Sequence, residues 1–229
     1  EYRYRNPIVE DHTLFVTISQ SGETADTLAA LEYARAEKYV GIVTICNVPT
    51  STMARNADWK IFTNAGPEIG VASTKAFTTQ LAALLMLALS IAKSQDKNAK
   101  KRKQATQELR ETPALVDQAF SLKENISQIT QNISTKHNAL FLGRGMYFSI
   151  AQEGALKLKE ISYIHAEAYP AGELKHGPLA LVDEQIPVIA LAPEDSLVEK
   201  LLSNLEEVKA RGGTLYVFGN ANSTIEVKK

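Results

Sequence analysis

A hydroxyl-rich segment, Ser19-Gln20-Ser21-Gly22-Glu23-Thr24, stands between an apolar run at 14–18 and an amphipathic pattern at 25–38. The run predicts a buried strand and the pattern predicts a helix, so the segment is a strand-to-helix turn. Backbone N–H groups at a helix start, together with three nearby hydroxyls, favour a phosphate or another dianion. The alternative is a serine-rich helix cap that binds nothing. Because one cap needs only one hydroxyl, we predict an anion site, with Gly22 letting the backbone approach the ligand.

Two acidic residues and a lysine share one face of a predicted helix at 149–163. Glu153, Lys157 and Glu160 are four and three residues apart, which places their side chains side by side. A lysine holds a neighbouring carboxylate in its ionised form and stabilises negative charge that develops on a carbonyl oxygen. Such a pair could move a proton on a carbon next to a carbonyl. The alternative is a surface ion-pair ladder without a chemical role.

One histidine lies in a glycine-bounded turn, Ala171-Gly172-Glu173-Leu174-Lys175-His176-Gly177-Pro178. The flanking glycines permit a ligand to come close to His176, whereas an exposed loop histidine can equally be inert. The other three histidines have no ligand-like spacing with cysteine or acidic residues, and His165 with Glu167 alone is a weak zinc signature. We therefore predict no metal site.

A further loop, Gly70-Val71-Ala72-Ser73-Thr74-Lys75, opens a long apolar helix predicted at 74–92. Ser73 is either the N-cap of that helix or a hydroxyl that lies near the anion of the first turn. Lys75 alone does not indicate a Schiff-base lysine, because nothing else in the sequence resembles a pyridoxal phosphate site.

Strands and helices alternate along the chain. Apolar runs without alternation of polar residues are typical of a parallel sheet that is covered on both faces, and they predict a doubly wound α/β class. The predicted strands are 14–18, 41–46, 60–63, 139–142, 187–191 and 214–218. The predicted helices are 25–38, 74–92, 101–111, 113–121, 123–134, 149–163 and 197–211.

A weak internal repeat relates 15–47 to 188–220, a shift of 188 − 15 = 173 residues. Strand lies on strand and helix on helix, but the second turn carries Glu194 and Asp195 where the first carries hydroxyls, so only the first should bind an anion. We predict two domains, 1–92 and 137–229, joined by connecting helices at 93–136. Each repeat has segments that the other lacks, so we expect a fragment of a larger protein, cut at both ends.

Composition narrows the function classes. The formal net charge is −1, with 25 Lys+Arg against 26 Asp+Glu, which argues against nucleic acid or an anionic membrane as partner. The apolar run 81–92 is shorter than the ~20 residues of a membrane span, so we expect a helix buried in the core or in a subunit interface. The single cysteine, Cys46, fits a reducing compartment and therefore a cytoplasmic protein.

Three segments closely resemble the isomerase part of the glucosamine-6-phosphate synthases, the isomerising glutamine–fructose-6-phosphate aminotransferases. They are 19–24, the stretch from Asn64 through Gly70-Val71-Ala72-Ser73-Thr74-Lys75 to Gln80, and 153–167 with the turn that follows at 172–178. The resemblance runs over nearly the whole chain. It implies two tandem sugar isomerase (SIS) domains, each a parallel sheet flanked by helices, in agreement with the repeat.

The resemblance also implies a role for each site residue. Ser19, Gln20, Ser21 and Thr24 would hold the sugar phosphate, and the Val71 carbonyl and Ser73 would contact the sugar. Glu160 would carry a proton between C1 and C2, with Lys157 assisting, and His176 would open the sugar ring from the partner subunit of a homodimer. The family's glutaminase domain, first sugar-domain loop and C-terminal lysine have no counterpart here, so we expect the fragment to have little or no synthase activity.

The resemblance thus implies an enzyme of amino sugar biosynthesis that makes glucosamine-6-phosphate from fructose-6-phosphate and glutamine-derived ammonia, without pyridoxal phosphate, metal or another cofactor. Two alternatives stay open. One is a phosphosugar aldose–ketose isomerase that does not aminate its substrate, and the other is a non-catalytic sugar-phosphate sensor. Glu160 and Lys157 discriminate between enzyme and sensor, because a sensor needs the phosphate turn but no carbon base.

Overall fold

A computed structural model describes residues 1–220, and the part of the second predicted domain at 221–229 lies outside that range. The chain forms two compact units, one spanning Glu1–Leu115 and the other beginning at Val116. The division falls inside a helix, and the domain boundaries expected at 92 and 136 stay a prediction.

The first unit is built on a three-stranded parallel sheet in the order β1-β2-β3. The elements of this sheet and its short connecting helices are β1 (Leu14–Ser19), α1 (Ala25–Arg35), β2 (Gly41–Cys46), α2 (Thr52–Asn56) and β3 (Trp59–Phe62). The core beside the sheet contains Leu31 from α1, Ile42 from β2 and Met53 from α2. Because the strands are parallel, their carboxyl ends lie at one edge, and the hydroxyl-rich turn follows β1 at that edge.

Two long helices follow, α3 (Lys75–Ser94) and α4 (Ala99–Ala119), and then α5 (Lys123–Ile133). The sequence predicts a break between 111 and 113, but α4 runs through Pro113 without interruption. That prediction is wrong because Pro113 lies on an exposed stretch, where solvent can hydrogen-bond the carbonyl that the proline leaves without a donor.

The apolar helix α3 differs from the expectation of a core helix. Only Ala76 and Ala83 are buried, whereas Leu81 is 44% exposed and Met86 is 57% exposed. The expectation that α3 is buried in the core of this chain is therefore wrong for most of the helix. Its burial in a subunit interface stays a prediction. Among residues 1–220, α3 alone is long and apolar enough to cross a membrane, by length and composition only, as core helices of soluble proteins also are.

The second unit contains a four-stranded parallel sheet in the order β5-β4-β6-β7. Its elements are β4 (Asn138–Gly143), α6 (Met146–Ser162), β5 (His165–Pro170), β6 (Pro187–Ala192), α7 (Val198–Ala210) and β7 (Thr214–Gly219). Strand order reverses direction at β4, which is the arrangement of a doubly wound sheet. The expected α/β fold with parallel sheets flanked by helices is thus confirmed.

Strand β5 has no counterpart among the predicted strands. Its sequence, His165-Ala166-Glu167-Ala168-Tyr169-Pro170, is polar at alternate positions, and only Ala166 is buried. Strand β5 pairs with β4 alone and forms one edge of the sheet. An edge strand needs fewer apolar residues than a central one, so a search for continuous apolar runs misses it.

The internal repeat is visible in the strand register. Leu14 of β1 pairs with Gly41 of β2, and Pro187 of β6 pairs with Thr214 of β7. Both strands of the second pair have the bounds of the first pair shifted by 187 − 14 = 173 residues. Helices α1 and α7 begin at the same shift, 198 − 25 = 173. The match of pattern seen in the sequence is therefore a match of structure.

Candidate functional site

The turn after β1 holds its hydroxyls close together. The Ser19 Oγ accepts a hydrogen bond from the Gly22 N–H at 2.9 Å and lies 3.5 Å from the Thr24 Oγ1. The Ser21 Oγ accepts from the Glu23 N–H at 3.2 Å. Ser19 is mostly buried, Ser21 half-buried and Thr24 exposed, so the group is not sealed from a ligand. Because Ser19 and Ser21 accept from the backbone, their O–H groups stay available to donate to an anion.

The start of α1 carries no side-chain cap. Thr24 occupies the N-cap position, yet its side chain makes no capping hydrogen bond. The first N–H groups of the helix consequently lack a side-chain acceptor, which is the arrangement that favours a bound anion. The alternative, a helix cap that binds nothing, therefore has no support, because the N-cap residue Thr24 makes no capping hydrogen bond.

The structure gives a different reason for glycine at position 22 from the one that the sequence suggests. Its φ is +68°, and a Cβ placed on it would lie 2.2 Å from the Ser51 Oγ. Ser51 is buried at the N-cap of α2, where its Oγ accepts from the Ala54 N–H. The Ser51 side chain thus fills the space that a Cβ on residue 22 would need, and the expectation that Gly22 lets the backbone approach a ligand stays a prediction.

Glu23 binds the neighbouring helix. Its Oε1 accepts a hydrogen bond from the Thr52 N–H of α2 at 2.7 Å. This hydrogen bond holds the pKa of the Glu23 carboxyl below its usual value. One oxygen of the carboxylate in the turn is thereby committed to α2, and the turn is tied to the rest of the unit.

Asn47, directly after β2, fastens the loop that follows β3. Its Oδ1 accepts from the Ala65 N–H at 2.8 Å and from the Thr63 hydroxyl at 3.1 Å, and its Nδ2 donates to the Gly66 carbonyl at 2.7 Å. The loop reaches Val71, which is 99% exposed with its backbone open to a ligand.

Ser73 is not the cap of the long helix. The N-cap residue of α3 is Thr74, without a side-chain capping bond. The Glu68 carboxylate instead accepts from the Thr74 N–H at 3.3 Å and the Ala76 N–H at 3.0 Å. The bond to the Ala76 N–H is the main cause of a lowered Glu68 pKa. The capping interpretation of Ser73 is wrong, and its half-buried hydroxyl has no part in capping α3.

Glu153, Lys157 and Glu160 on α6 form a continuous row of ion pairs. The Lys157 Nζ lies 2.5 Å from the Glu160 Oε2 and 3.5 Å from the Glu153 Oε1. Burial lowers the pKa of Lys157, but the hydrogen bond to Glu160 and the charges of both glutamates outweigh it, so the pKa is raised. Lys157 therefore stays protonated at neutral pH and keeps a positive charge against the Glu160 carboxylate.

The partial burial of these three side chains bears on the choice between a surface ion-pair ladder and a chemical role. The side chains of Lys157 and Glu153 are each 22% exposed, and that of Glu160 is 35% exposed. A surface ladder of i,i+4 pairs is normally more solvated than this and contributes only a few tenths of a kcal/mol per pair. The arrangement can hold a carboxylate base beside a fixed ammonium group, which suits proton transfer next to a carbonyl.

His176 ends a 3-10 helix, Ala171–His176, where the sequence suggests an irregular turn. Ala171 and Leu174 are fully buried and anchor the helix, whereas His176 is exposed. Gly177 follows with a φ of +141°, a conformation that glycine adopts readily and other residues rarely do. The anchored backbone thus presents the imidazole at the surface of the second unit.

The predicted site residues fall into two sets, one in each unit. Ser19, Gln20, Ser21, Thr24, Val71 and Ser73 belong to the first unit, and Lys157, Glu160 and His176 belong to the second. Within the first unit the structure brings the turn residues together. Within the second it pairs Lys157 with Glu160, while His176 lies on a separate element after β5.

Two clefts among the described residues contain none of these side chains. One of about 610 Å³ lies between α3 and α4 and is lined by Met86, Leu89 and Arg102 among others. The second, of about 320 Å³, lies between α6 and β5 beside Lys159 and Glu167. Neither cleft could be predicted from the sequence, because each is formed by residues with no motif-like spacing.

His165 and Glu167 make a hydrogen-bonded group with Tyr169. The Tyr169 hydroxyl donates to the Glu167 carboxylate, and the His165 Nε2 lies 3.4 Å from the Glu167 Oε1. The hydrogen bond from Tyr169 is the main cause of a lowered Glu167 pKa. Within residues 1–220 no three His, Cys, Asp or Glu side chains gather as metal ligands.

Comparison with known proteins agrees with this architecture. The chain is 58% identical over 218 residues to the isomerising glutamine–fructose-6-phosphate aminotransferase of Legionella pneumophila (strain Lens), and 56% identical over 227 residues to that of Pseudomonas aeruginosa. These matches cover 95% and 99% of this chain, but the chain spans only 35% and 37% of those relatives. The resemblance noted from the motifs is confirmed.

A solved structure and a family description lead to the same fold. The C-terminal domain of glucosamine-fructose-6-phosphate aminotransferase from Francisella tularensis superposes with a TM-score of 0.92 at 56% identity, covering 96% of this chain and 62% of that one. The SIS domain description matches residues 1–90 and 132–228. Since these two segments contain well over half of the residues, the chain belongs to the SIS domain family.

Proposed function

We propose that this chain is the sugar-phosphate isomerase part of an isomerising glutamine–fructose-6-phosphate aminotransferase. The observation that carries the proposal is the close group of hydroxyls at the uncapped start of α1. The ion-paired carboxylate on α6 supports the catalytic half of the proposal. The similarity to named aminotransferases over 95% or more of this chain supports the choice of substrate.

In this proposal the turn binds the phosphate of fructose-6-phosphate or glucosamine-6-phosphate. The Ser19, Ser21 and Thr24 hydroxyls and the Gln20 side chain donate to phosphate oxygens, and the dipole of α1 adds to the attraction. The carbonyl of Val71 and the hydroxyl of Ser73 contact the sugar. Binding the remote phosphate in this way orients the reacting carbons.

The chemical steps then use the second set of residues. His176 moves a proton between the anomeric hydroxyl and the ring oxygen, which opens the ring and exposes the C2 carbonyl. Ammonia adds to C2 with loss of water to give an imine. Glu160 removes a proton from C1 and returns one to C2, which yields the 2-amino aldose. The Lys157 ammonium stabilises the oxyanion that develops at O1 during the transfer.

Several finer points belong to the same proposal. Ammonia comes from glutamine. The protein acts in the cytoplasm in amino sugar biosynthesis, as a homodimer in which His176 serves the partner's site, with no nucleic acid or membrane partner. None of the proposed steps needs a metal ion or pyridoxal phosphate, because carboxylate, ammonium and imidazole groups carry every proton.

The test measures binding and proton exchange separately. Binding of glucosamine-6-phosphate to the 229-residue chain is followed by calorimetry, and loss of deuterium from C1 of labelled fructose-6-phosphate by NMR. We expect Glu160→Gln to keep binding within about twofold and to slow exchange by about 100-fold. Glu199→Gln, at an exposed position of α7, is the matched control and should change neither.

The outcomes separate this function from its alternatives. A chain that binds the sugar phosphate but exchanges no proton would be a sensor. Exchange that proceeds equally well in Glu160→Gln would remove that residue as the base. Exchange without amination in the full-length protein, supplied with ammonia, would identify an aldose–ketose isomerase instead.

A further inference from the structure

The 3-10 helix that carries His176 packs against α7. Ala171 and Leu174 are fully buried in the same core cluster as Leu201 and Leu205 of α7. These apolar contacts fix the depth of the helix but leave the exposed residues at its end unrestrained. Two polar contacts with α7 supply the remaining restraint.

The first polar contact is an ion pair next to His176. The Lys175 Nζ lies 2.9 Å from the Glu207 Oε1, and the Glu207 side chain is 26% exposed. The other carboxylate oxygen, Oε2, is buried and has no hydrogen-bond partner among residues 1–220. A buried carboxylate oxygen without a partner is costly, so this glutamate is poorly explained as a stabilising residue.

The second polar contact involves the turn after β4. The Arg144 Nη2 donates to the Asn204 Oδ1 at 3.2 Å, and Asn204 is only 8% exposed. The guanidinium lies against Gly172, because a Cβ on that glycine would be 3.1 Å from Nη2. The Arg144 Nε is also buried without a partner in the described part of the chain. Arg144 thus connects α7 to the beginning of the 3-10 helix.

Asn204 and Glu207 are three residues apart and lie on one face of α7. Together they secure both ends of the segment 172–175, one through Arg144 and the other through Lys175. Asn204 is 8% exposed and one Glu207 carboxylate oxygen is buried, so apolar side chains of similar size at these two positions would often stabilise the core more than the polar ones do. The polar contacts therefore fit a requirement for fixed geometry better than a requirement for stability.

We propose that Asn204 and Glu207 are positioning residues that hold the imidazole of His176 for ring opening. This inference rests on the proposed function, because it takes from it the role of His176. Proton transfer depends steeply on distance, so loosening the 3-10 helix by about 1 Å would lower the rate markedly while leaving the phosphate turn intact.

The experiment pairs Glu207→Gln with Glu206→Gln, a change at the exposed neighbouring position. Hydrogen–deuterium exchange reports on the amides of 172–177. Ring opening is measured as the interconversion of the anomers of ¹³C-labelled fructose-6-phosphate, which needs neither ammonia nor transfer of a carbon-bound proton. We expect Glu207→Gln to raise amide exchange and to slow ring opening, each by about tenfold, with unchanged glucosamine-6-phosphate binding.

Asn204→Ala provides a second variant from the other end of the contact and should act in the same direction. The proposal is overturned if 172–177 exchange equally in Glu207→Gln and Glu206→Gln. It is also overturned if His176→Ala abolishes ring opening while Glu207→Gln leaves it unchanged. Normal ring opening in His176→Ala would instead refute the role given to His176 in the proposed function, and amide exchange would still decide whether α7 holds the helix.

Discussion

The two copies of the strand–turn–helix–strand pattern share a scaffold but differ in the turn. The pairs β1–β2 and β6–β7 have the same register at a shift of 173 residues, and α1 and α7 begin at equivalent positions. The first turn carries hydroxyls at an uncapped helix start. In the second, the Asp195 Oδ1 accepts from the Leu197 N–H at 2.7 Å, which places a carboxylate next to the start of α7, a helix that likewise has no side-chain cap.

The second turn is also closed by packing. Arg144, Pro193, Asp195 and Leu197 meet there without leaving space for a water molecule. A parallel α/β scaffold therefore provides a helix N-terminus at each such turn, but the side chains decide whether it is open to a ligand. The comparison teaches that the turn residues, more than the fold, distinguish the two copies, and it is on these residues that the proposal of an anion site in the first copy rests.

The most severe test gives the first turn the charge of the second. We expect Ser21→Asp to weaken glucosamine-6-phosphate binding by about 100-fold or more, because a carboxylate would face the phosphate. Aspartate can still accept from the Glu23 N–H, so the turn should keep its shape. Calorimetry on the 229-residue chain measures the effect, and Glu194→Ser in the second turn should leave binding unchanged. Tight binding by Ser21→Asp would contradict the anion site.

The next test addresses Gly22, whose equivalent in the second copy is Asp195. We expect Gly22→Ala to lower the free energy of unfolding by about 2 kcal/mol, because the new Cβ meets Ser51 and the φ of +68° disfavours alanine. Urea unfolding measures this. Adding Ser51→Gly should restore part of the loss, and no recovery would mean that backbone strain alone is responsible.

A smaller effect separates a cap from an anion ligand at Thr24. A capping threonine would cost about 1 kcal/mol of stability when changed to alanine. Since Thr24 makes no capping hydrogen bond, we expect Thr24→Ala to unfold at the same urea concentration as the parent. Its binding of glucosamine-6-phosphate should fall by about tenfold, because a hydrogen bond to a charged group is lost. Lower stability with unchanged binding would favour the cap.

The smallest effect concerns the tie between the first turn and α2. The Glu23 pKa is lowered by its hydrogen bond from the Thr52 N–H, so the folded state binds fewer protons than the unfolded state near the usual pKa. This stabilisation is present above that pKa and is lost as pH falls through the lowered value. We expect Glu23→Gln to reduce thermal stability slightly at pH 7 and not at strongly acidic pH. A difference that persists in acid would contradict the charge-dependent tie.

Local pattern was sufficient for much of the molecule. The apolar strands of both copies and the turn after β1 could be predicted, because a buried parallel strand is apolar along its whole length. Strand β5 could not, since its polar residues reflect its place at a sheet edge. The prediction of a helix break at Pro113 is wrong because the helix is exposed there.

The finer features of the site depend on contacts that spacing does not reveal. Glu68 caps α3 from outside the helix, and Ser51 approaches Gly22 from another element. Both are tertiary contacts, so the sequence could not decide whether Ser73 caps α3, and it could not show that Ser51 fills the space beside Gly22. The spacing of Lys157 and Glu160 did predict their contact, because helical geometry alone sets it.

The contact between Gly22 and Ser51 links the evolutionary histories of two distant positions. A relative with a side chain at 22 would need a smaller residue at 51 and would still retain backbone strain, and one with a larger residue at 51 would press against the turn after β1. An added side chain at 22 is therefore not a neutral change while residue 51 is serine. We therefore expect paired small residues at these two sites wherever SIS domains keep an occupied turn, and relaxed variation where the turn has lost its ligand.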